Sequence, residues 1–324
     1  MTFVVWAGFG ALFVAVLALD LGVLHRESRA MQVREALIWT VVWIVVALSA
    51  GGLVYGLYEY NWLGWVSGSG GGYDINGREA SIQYATGYLL EWSLSVDNIF
   101  VIAVIFTYLK IPLGLQYRVL FWGIVGAIVL RGAMIGLGTV LIHKFEWMYY
   151  VFGTVLILSA ARMFFAREQA YDPGKSPLMG AVRRLFPVTE KLAGERFFTR
   201  LDGRAAATPL FVALLFVDVA DAVFAVDSIP AIFAVTRDPF LLLTSNAFAI
   251  LGLRALYFAI AGMLAMFSYL KFALVVILAF IGVKMLLEHH VQISNLHSLA
   301  VIVFVLAAGV LTSLWKNLRE RQIR

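Results

Sequence analysis

The chain has 324 residues, 62% of them apolar and 14% charged, against roughly 45–50% and about 25% in soluble domains. With a mean hydropathy of +0.87, a single water-facing fold could not hide its apolar surface. That excludes an ordinary soluble enzyme, a disordered chain and a secreted disulfide scaffold. Cysteine is absent, so thiolate metal sites, Cys nucleophiles and dithiol redox chemistry are excluded as well.

A helix needs about 20 mostly apolar residues to cross a bilayer. Nine segments meet that test: 2–24, 35–58, 83–109, 116–141, 147–165, 208–235, 240–266, 270–287 and 297–315. The first has no basic residue ahead of it and is longer than a signal-peptide core, so it is read as a span. The runs are continuously apolar instead of alternating, which predicts helices and not a barrel. The expectation is an all-α integral membrane protein with one transmembrane domain, 1–324. Within it, 1–82 holds two helices and an outer loop, 166–207 is a basic loop, and 288–324 holds the last helix and a tail.

Basic residues orient the spans. Arg26, Arg29 and Arg34 follow the first span, while Arg78 stands alone after the second. Loop 166–207 carries eight Lys or Arg, and the tail carries Lys316, Arg319, Arg321 and Arg324. Rich and poor loops alternate almost throughout, predicting the N-terminus outside and the C-terminus in the cytoplasm. The net charge of +5 is then a topology signal, and nucleic acid is not an expected partner. Membrane lipids are, with the basic segment Leu185 to Phe198 on the inner leaflet. Trp62, Trp65, Trp147, Tyr149 and Tyr150 read as interfacial anchors. Gly132-x-x-x-Gly136 and Gly52-x-x-x-Gly56 read as close helix-packing faces, and His289, His290 and His297 as residues of a solvated outer loop.

Two stretches repeat. Glu91-Trp-Ser-Leu-Ser-Val-Asp97-Asn98-Ile99 is echoed by Asp221-Ala-Val-Phe-Ala-Val-Asp227-Ser228-Ile229, 130 positions on from Asp97 to Asp227. Leu130-Arg131-Gly132 then answers Leu253-Arg254-Ala255, and Arg162-Met163-Phe164 answers Lys284-Met285-Leu286. Spans three to five (83–165) and six to eight (208–287) are read as copies. An odd number of spans per copy inverts the second, giving the 3+3 inverted repeat of many secondary transporters.

Glu91, Asp97, Asp218, Asp221 and Asp227 lie inside spans, and Asp20 lies near the inner end of the first. Charges at membrane depth are costly and mark ion paths or relays. Inversion places Glu91 level with Asp227 and Asp97 level with Asp221, two carboxylate layers about 9 Å apart. Residues six apart sit about 120° around an ideal helix, so facing one channel requires distortion. Pro230 frees the Val226 carbonyl, which predicts unwinding near 226–230. Carboxylates, the Asn98 amide and the Ser228 hydroxyl are hard oxygen donors suited to Mg²⁺, Ca²⁺ or Mn²⁺. The candidate ligands are Glu91, Asp97, Asn98, Asp218, Asp221, Asp227, Ser228 and Asp20, with Arg131 and Arg254 as counter-charge. No prosthetic group is implied.

Glu91-Trp-Ser-Leu-Ser-Val-Asp-Asn98, with Asp218-x-x-Asp221 and Phe224-Ala-Val-Asp-Ser-Ile-Pro230, resembles the signature of the TerC family of bacterial membrane proteins. Length and span number are most similar to its Alx branch. The resemblance implies an inner-membrane location, Mn²⁺ handling and export, and an alkaline-pH response. The family is named for tellurium resistance. The leading expectation is a secondary-active exporter of divalent cations, Mn²⁺ foremost, coupled to protons. The alternative is a non-transporting accessory that supplies metal to exported proteins through the secretion machinery. An enzyme is not expected: the Gly-x-Gly-Asp motif of intramembrane aspartyl proteases is absent, and so is a phosphate-binding Gly-x-x-x-x-Gly-Lys-Ser/Thr loop.

Overall fold

The computed structural model describes residues 2–19, 32–65, 75–145, 147–165, 176–185, 187–189, 191–201, 204–261, 269–288, 290–291 and 293–323. Asp20, Arg26, Arg29 and His289 lie outside the described residues. The helices are α1 (Thr2–Ala18), α2 (Val33–Glu59), α3 (Gly77–Tyr108), α4 (Leu113–Lys144), α5 (Met148–Phe165), α6 (Pro177–Leu185), α7 (Pro209–Phe233), α8 (Pro239–Leu251), α9 (Leu253–Ile260), α10 (Leu270–Leu287) and α11 (Asn295–Ile323). Strands β1 (Phe198–Leu201) and β2 (Arg204–Ala207) form an antiparallel hairpin.

Among the described residues, seven helices are long and apolar enough to cross a membrane: α2, α3, α4, α5, α7, α10 and α11. The pair α8 and α9, bent by 41° at Gly252, makes an eighth candidate span, and α1 is a shorter apolar helix. Local chemistry sets the starts. The Asn76 side chain accepts from Glu79 N at 2.8 Å and caps α3. Asp238 caps α8, accepting from the amides of Phe240 and Leu241, with Pro239 in the first turn.

One expectation is overturned here. Helix α7 runs unbroken through 226–230 with Pro230 inside it. Pro230 removes one ladder bond, yet Ala234 N still donates to its carbonyl at 3.2 Å. Every residue from Ser228 to Phe233 is buried, so packing holds the segment helical. The break comes instead in the next span, at Gly252, where an added Cβ would stand 3.2 Å from the Trp43 side chain.

The glycine reading is corrected too. Among the described residues, an added Cβ at Gly52, Gly132 or Gly136 meets nothing within 4 Å, and one at Gly56 comes nearest to the Trp62 ring of its own segment, at 2.8 Å. The tight crossing is α5 on α10: a Cβ at Gly282 would lie 2.8 Å from Ile157 and 3.0 Å from the Gly153 carbonyl oxygen. Trp65, only 3% exposed, packs with Trp6, Tyr58 and Phe240 and is core, not a belt. Tyr149 is buried as well, whereas Trp62, Trp147 and Tyr150 are exposed.

Helix α3 is the centre of the bundle, touching α2, α7, α8 and α11. At the end where α3 stops, Met179 and Val182 of α6 join Ile105, Phe106, Ile111 and Leu210 in one apolar cluster. Arg118 pairs with Glu195 at 3.1 Å and stacks over Phe197, fastening the described part of loop 166–207 to the start of α4.

Candidate ion site between the central helices

Because both central helices are intact, their period decides which side chains meet. Seven residues turn an α-helix through roughly 700°, within about 20° of alignment. Glu91 and Asn98 therefore share a face of α3, and Asp221 and Ser228 share a face of α7. Ser95 on α3 and Asp218 on α7 extend the two stripes at helical spacing.

The stripes meet at Arg131 of α4. Its Nε and Nη2 donate to Asp221 at 3.0 and 2.6 Å, its Nη1 donates to Glu91, and the Ser228 hydroxyl lies 3.5 Å from Nη1. Asn98 Nδ2 donates to Asp221 Oδ1 at 3.3 Å, and Asn246 Nδ2 of α8 donates to the other Glu91 oxygen at 3.1 Å. Glu91 is fully buried and Arg131 is 2% exposed. A planar guanidinium with five donors can bridge two carboxylates in this way, which Lys cannot.

The acids adjoining the motif face elsewhere. Asp227 accepts from Ser159 of α5 at 2.5 Å, with Arg162 as its neighbouring cation. Asp97 is half-buried with Lys271 as its neighbouring cation. The expected layers are thus populated by Asn98 with Asp221 and by Glu91 with Ser228, Arg131 spanning both. Asp97 and Asp227 stand one residue out of register with them. Asp218 packs on α4, where an added Cβ at Gly126 would come within 2.8 Å of its Oδ1. Among the described residues, no group of three or more Asp, Glu, His or Cys is arranged to hold a metal. Any cation site here must use Asn and Ser oxygens beside one or two carboxylates.

Arg254, the counterpart of Arg131, is buried over the Tyr117 ring at 4.9 Å. It lines a cavity of about 20 Å³ together with Asn98, Asp221, Gly123 and Ala127, room for roughly one water or bare ion. Three buried oxygens on the stripes, Ser95 Oγ, Asn98 Oδ1 and Asp218 Oδ1, have no hydrogen-bond partner among the described residues. Buried polar atoms are rarely left so.

A second polar space was not foreseen from the sequence. At the end where α3 begins and α7 stops lies a cavity of about 740 Å³ lined by Glu79, Gln83, Tyr149, Arg237, Lys284 and Glu288, among others. Lys284 Nζ donates to Asn295 Oδ1 at 3.0 Å, and Asn295 and Gln83 donate to Glu79 at 2.7 and 3.1 Å. Arg237 pairs with Glu288 at 3.5 Å over the Tyr149 ring. Lys284 as an echo of Arg162 was the one sequence signal here. Asn246, the Glu91 partner, gave none, being an amide in an apolar run.

Apolar helices of spanning length around a buried carboxylate and guanidinium cluster define a multi-pass α-helical integral membrane protein. Residues 76–321 match the Integral membrane protein TerC family, and the chain belongs to that family. It is 46% identical over 312 residues to an uncharacterized membrane protein of Myxococcus xanthus, covering 96% of this chain and 92% of that one. It is 41% identical to proteins of Salmonella typhi and Escherichia coli K12 named as a candidate membrane-bound redox modulator, Alx, covering 98% of this chain and 97% of each of theirs. No solved structure matches the chain.

Proposed function

We propose that the protein is a secondary-active carrier of the bacterial inner membrane that exports divalent metal cations, Mn²⁺ foremost, in exchange for protons. The observation that carries this reading is the facing pair of polar stripes at the centre of the bundle. Glu91 and Asp221 supply charge there, and buried oxygens of Ser95, Asn98 and Asp218 with no hydrogen-bond partner among the described residues lie on the same stripes. Hard oxygen donors of this kind suit Mn²⁺, with Mg²⁺ and Ca²⁺ as competitors.

The 3+3 inverted repeat is supported by reciprocal packing. Helix α3 lies on α7 and α5 on α10, while α3 meets α8 as α7 meets α4. In such carriers the cargo site sits where the repeats meet. With the N-terminus outside, as the loop charges imply, the 740 Å³ cavity faces outward and the α6 cluster lies at the cytoplasmic end. The redox role in the relatives' name finds no thiol in this chain, which has no Cys.

Direct binding tests the proposal. Titrating Mn²⁺ into purified protein should give saturable binding that Asp221→Asn weakens by about tenfold or more. Binding unchanged in a folded Asp221→Asn protein would remove Asp221, and with it the stripe site, from the account.

A further inference from the structure

Arg131 stands where a bridging cation would stand. Its guanidinium links a carboxylate of α3 to one of α7 through Nη1, Nη2 and Nε, at 2% exposure. A divalent ion cannot share those lone pairs with it, because the two positive groups compete for the same oxygens and repel each other at low dielectric. Nor can the pair stand bare: a fully buried carboxylate beside a part-buried one is strongly unfavourable without a cation.

A landing place lies next to it. The 20 Å³ cavity has Asp221, Asn98 and Arg254 on its wall, and Asn98, 4% exposed, carries an Oδ1 with no hydrogen-bond partner among the described residues. A cation of ionic size resting there lies against Asp221 and Asn98.

We propose that Arg131 is an exchangeable tethered cation, holding the Glu91–Asp221 pair in the empty carrier and leaving it when a divalent ion enters from the Asn98 side. The inference rests on the carrier reading above and deepens it. In the metal-free carrier this arrangement keeps a cation on the acid pair, so that form can return across the membrane. It also makes Arg131 a selectivity device. A monovalent ion carries no more charge than the guanidinium already bonded in place, whereas a divalent ion does.

The test separates net transport from exchange, using Arg131→Ala and Arg131→Lys in proteoliposomes loaded with Mn²⁺. Wild type should perform both net efflux and exchange against external labelled Mn²⁺. Arg131→Ala should bind Mn²⁺ about tenfold tighter, since no internal competitor occupies the acids. It should keep exchange within about threefold of wild type and lose net efflux by about tenfold or more. Arg131→Lys, a point charge that cannot bridge both acids, should bind Mn²⁺ tighter than wild type and restore part of the net efflux.

Arg131→Ala with wild-type net efflux, with weakened Mn²⁺ binding, or with exchange and efflux lost together while folded would overturn the proposal. If Arg131→Ala does not fold, Arg131→Lys decides, and Mn²⁺ binding no tighter than wild type overturns it. A folded wild type that neither binds nor moves Mn²⁺ would overturn the carrier reading itself, a result distinct from any at Arg131.

Discussion

Asn98 and Asp97 are neighbours in the chain and about 100° apart on the helix, and that angle separates two kinds of site. Asn98 meets Asp221 and the small cavity, while Asp97 faces the field of Lys271. Asn98→Ala should therefore weaken Mn²⁺ binding by about tenfold, and Asp97→Asn should change it by less than about threefold, as read by titration calorimetry. Equal losses in the two variants would contradict this register. The charged residues were legible as types: an acid pair with an arginine counter-charge can be read from span and spacing. Which neighbour faces inward was not, because it hangs on whether Pro230 breaks α7. Sequence supplies the missing N–H of Pro230 but not the packing around Ser228–Phe233 that keeps the helix whole.

At the level of elements, the crossing of α5 on α10 and the start of α8 are the most exposed to test. Gly282→Val would drive methyl groups against Ile157 and the Gly153 backbone. It should cost about 1–3 kcal/mol, seen as a lowered melting temperature in detergent, whereas Gly132→Ala and Gly136→Ala, which point into open space, should not lower it. Small-xxx-small spacing marks faces where close approach is allowed; it does not say that a partner comes, and here none of the described residues does.

At the cap of α8, burial raises the Asp238 carboxyl above its ordinary pKa, with the Tyr58 hydroxyl (2.6 Å) and two backbone amides opposing. The folded state then binds the proton more tightly than the unfolded chain does. Stability from this group is fully present below the unfolded pKa and falls as pH rises through the raised one. Asp238→Asn should flatten the stability profile, measured in detergent, between the ordinary carboxyl pKa and the raised one; an unaltered profile would contradict it. The spans themselves were legible from apolar run length, and the bend at Gly252 was not, since a lone Gly in an apolar run is compatible with a straight helix.

Across the whole molecule, the ends differ. One holds a polar cavity of about 740 Å³ ringed by Glu79, Lys284, Arg237 and Glu288. At the other, Met179 and Val182 of α6 share an apolar cluster with the end of α3 and the start of α7. Between them the Glu91–Arg131–Asp221 cluster is sealed from solvent on the α3 side, with Glu91 at 0% exposure. On the proposed carrier reading this is a state open to one face only, and cargo release would require the two proposed repeats to rock about the central stripes. This large-scale asymmetry left no trace in composition, because the lining residues come from α3, α5, α7, α10 and α11 and meet only in the folded bundle.

The central claim is that Glu91 and Asp221 carry a divalent ion across the membrane. Its most direct test is Mn²⁺ flux in proteoliposomes, wild type beside Glu91→Gln and Asp221→Asn, with and without a pH gradient. The account predicts flux in wild type that rises with the gradient and falls by about a hundredfold or more in both variants. Folded wild-type protein that passes no Mn²⁺, or variants that pass it at the wild-type rate, would contradict it.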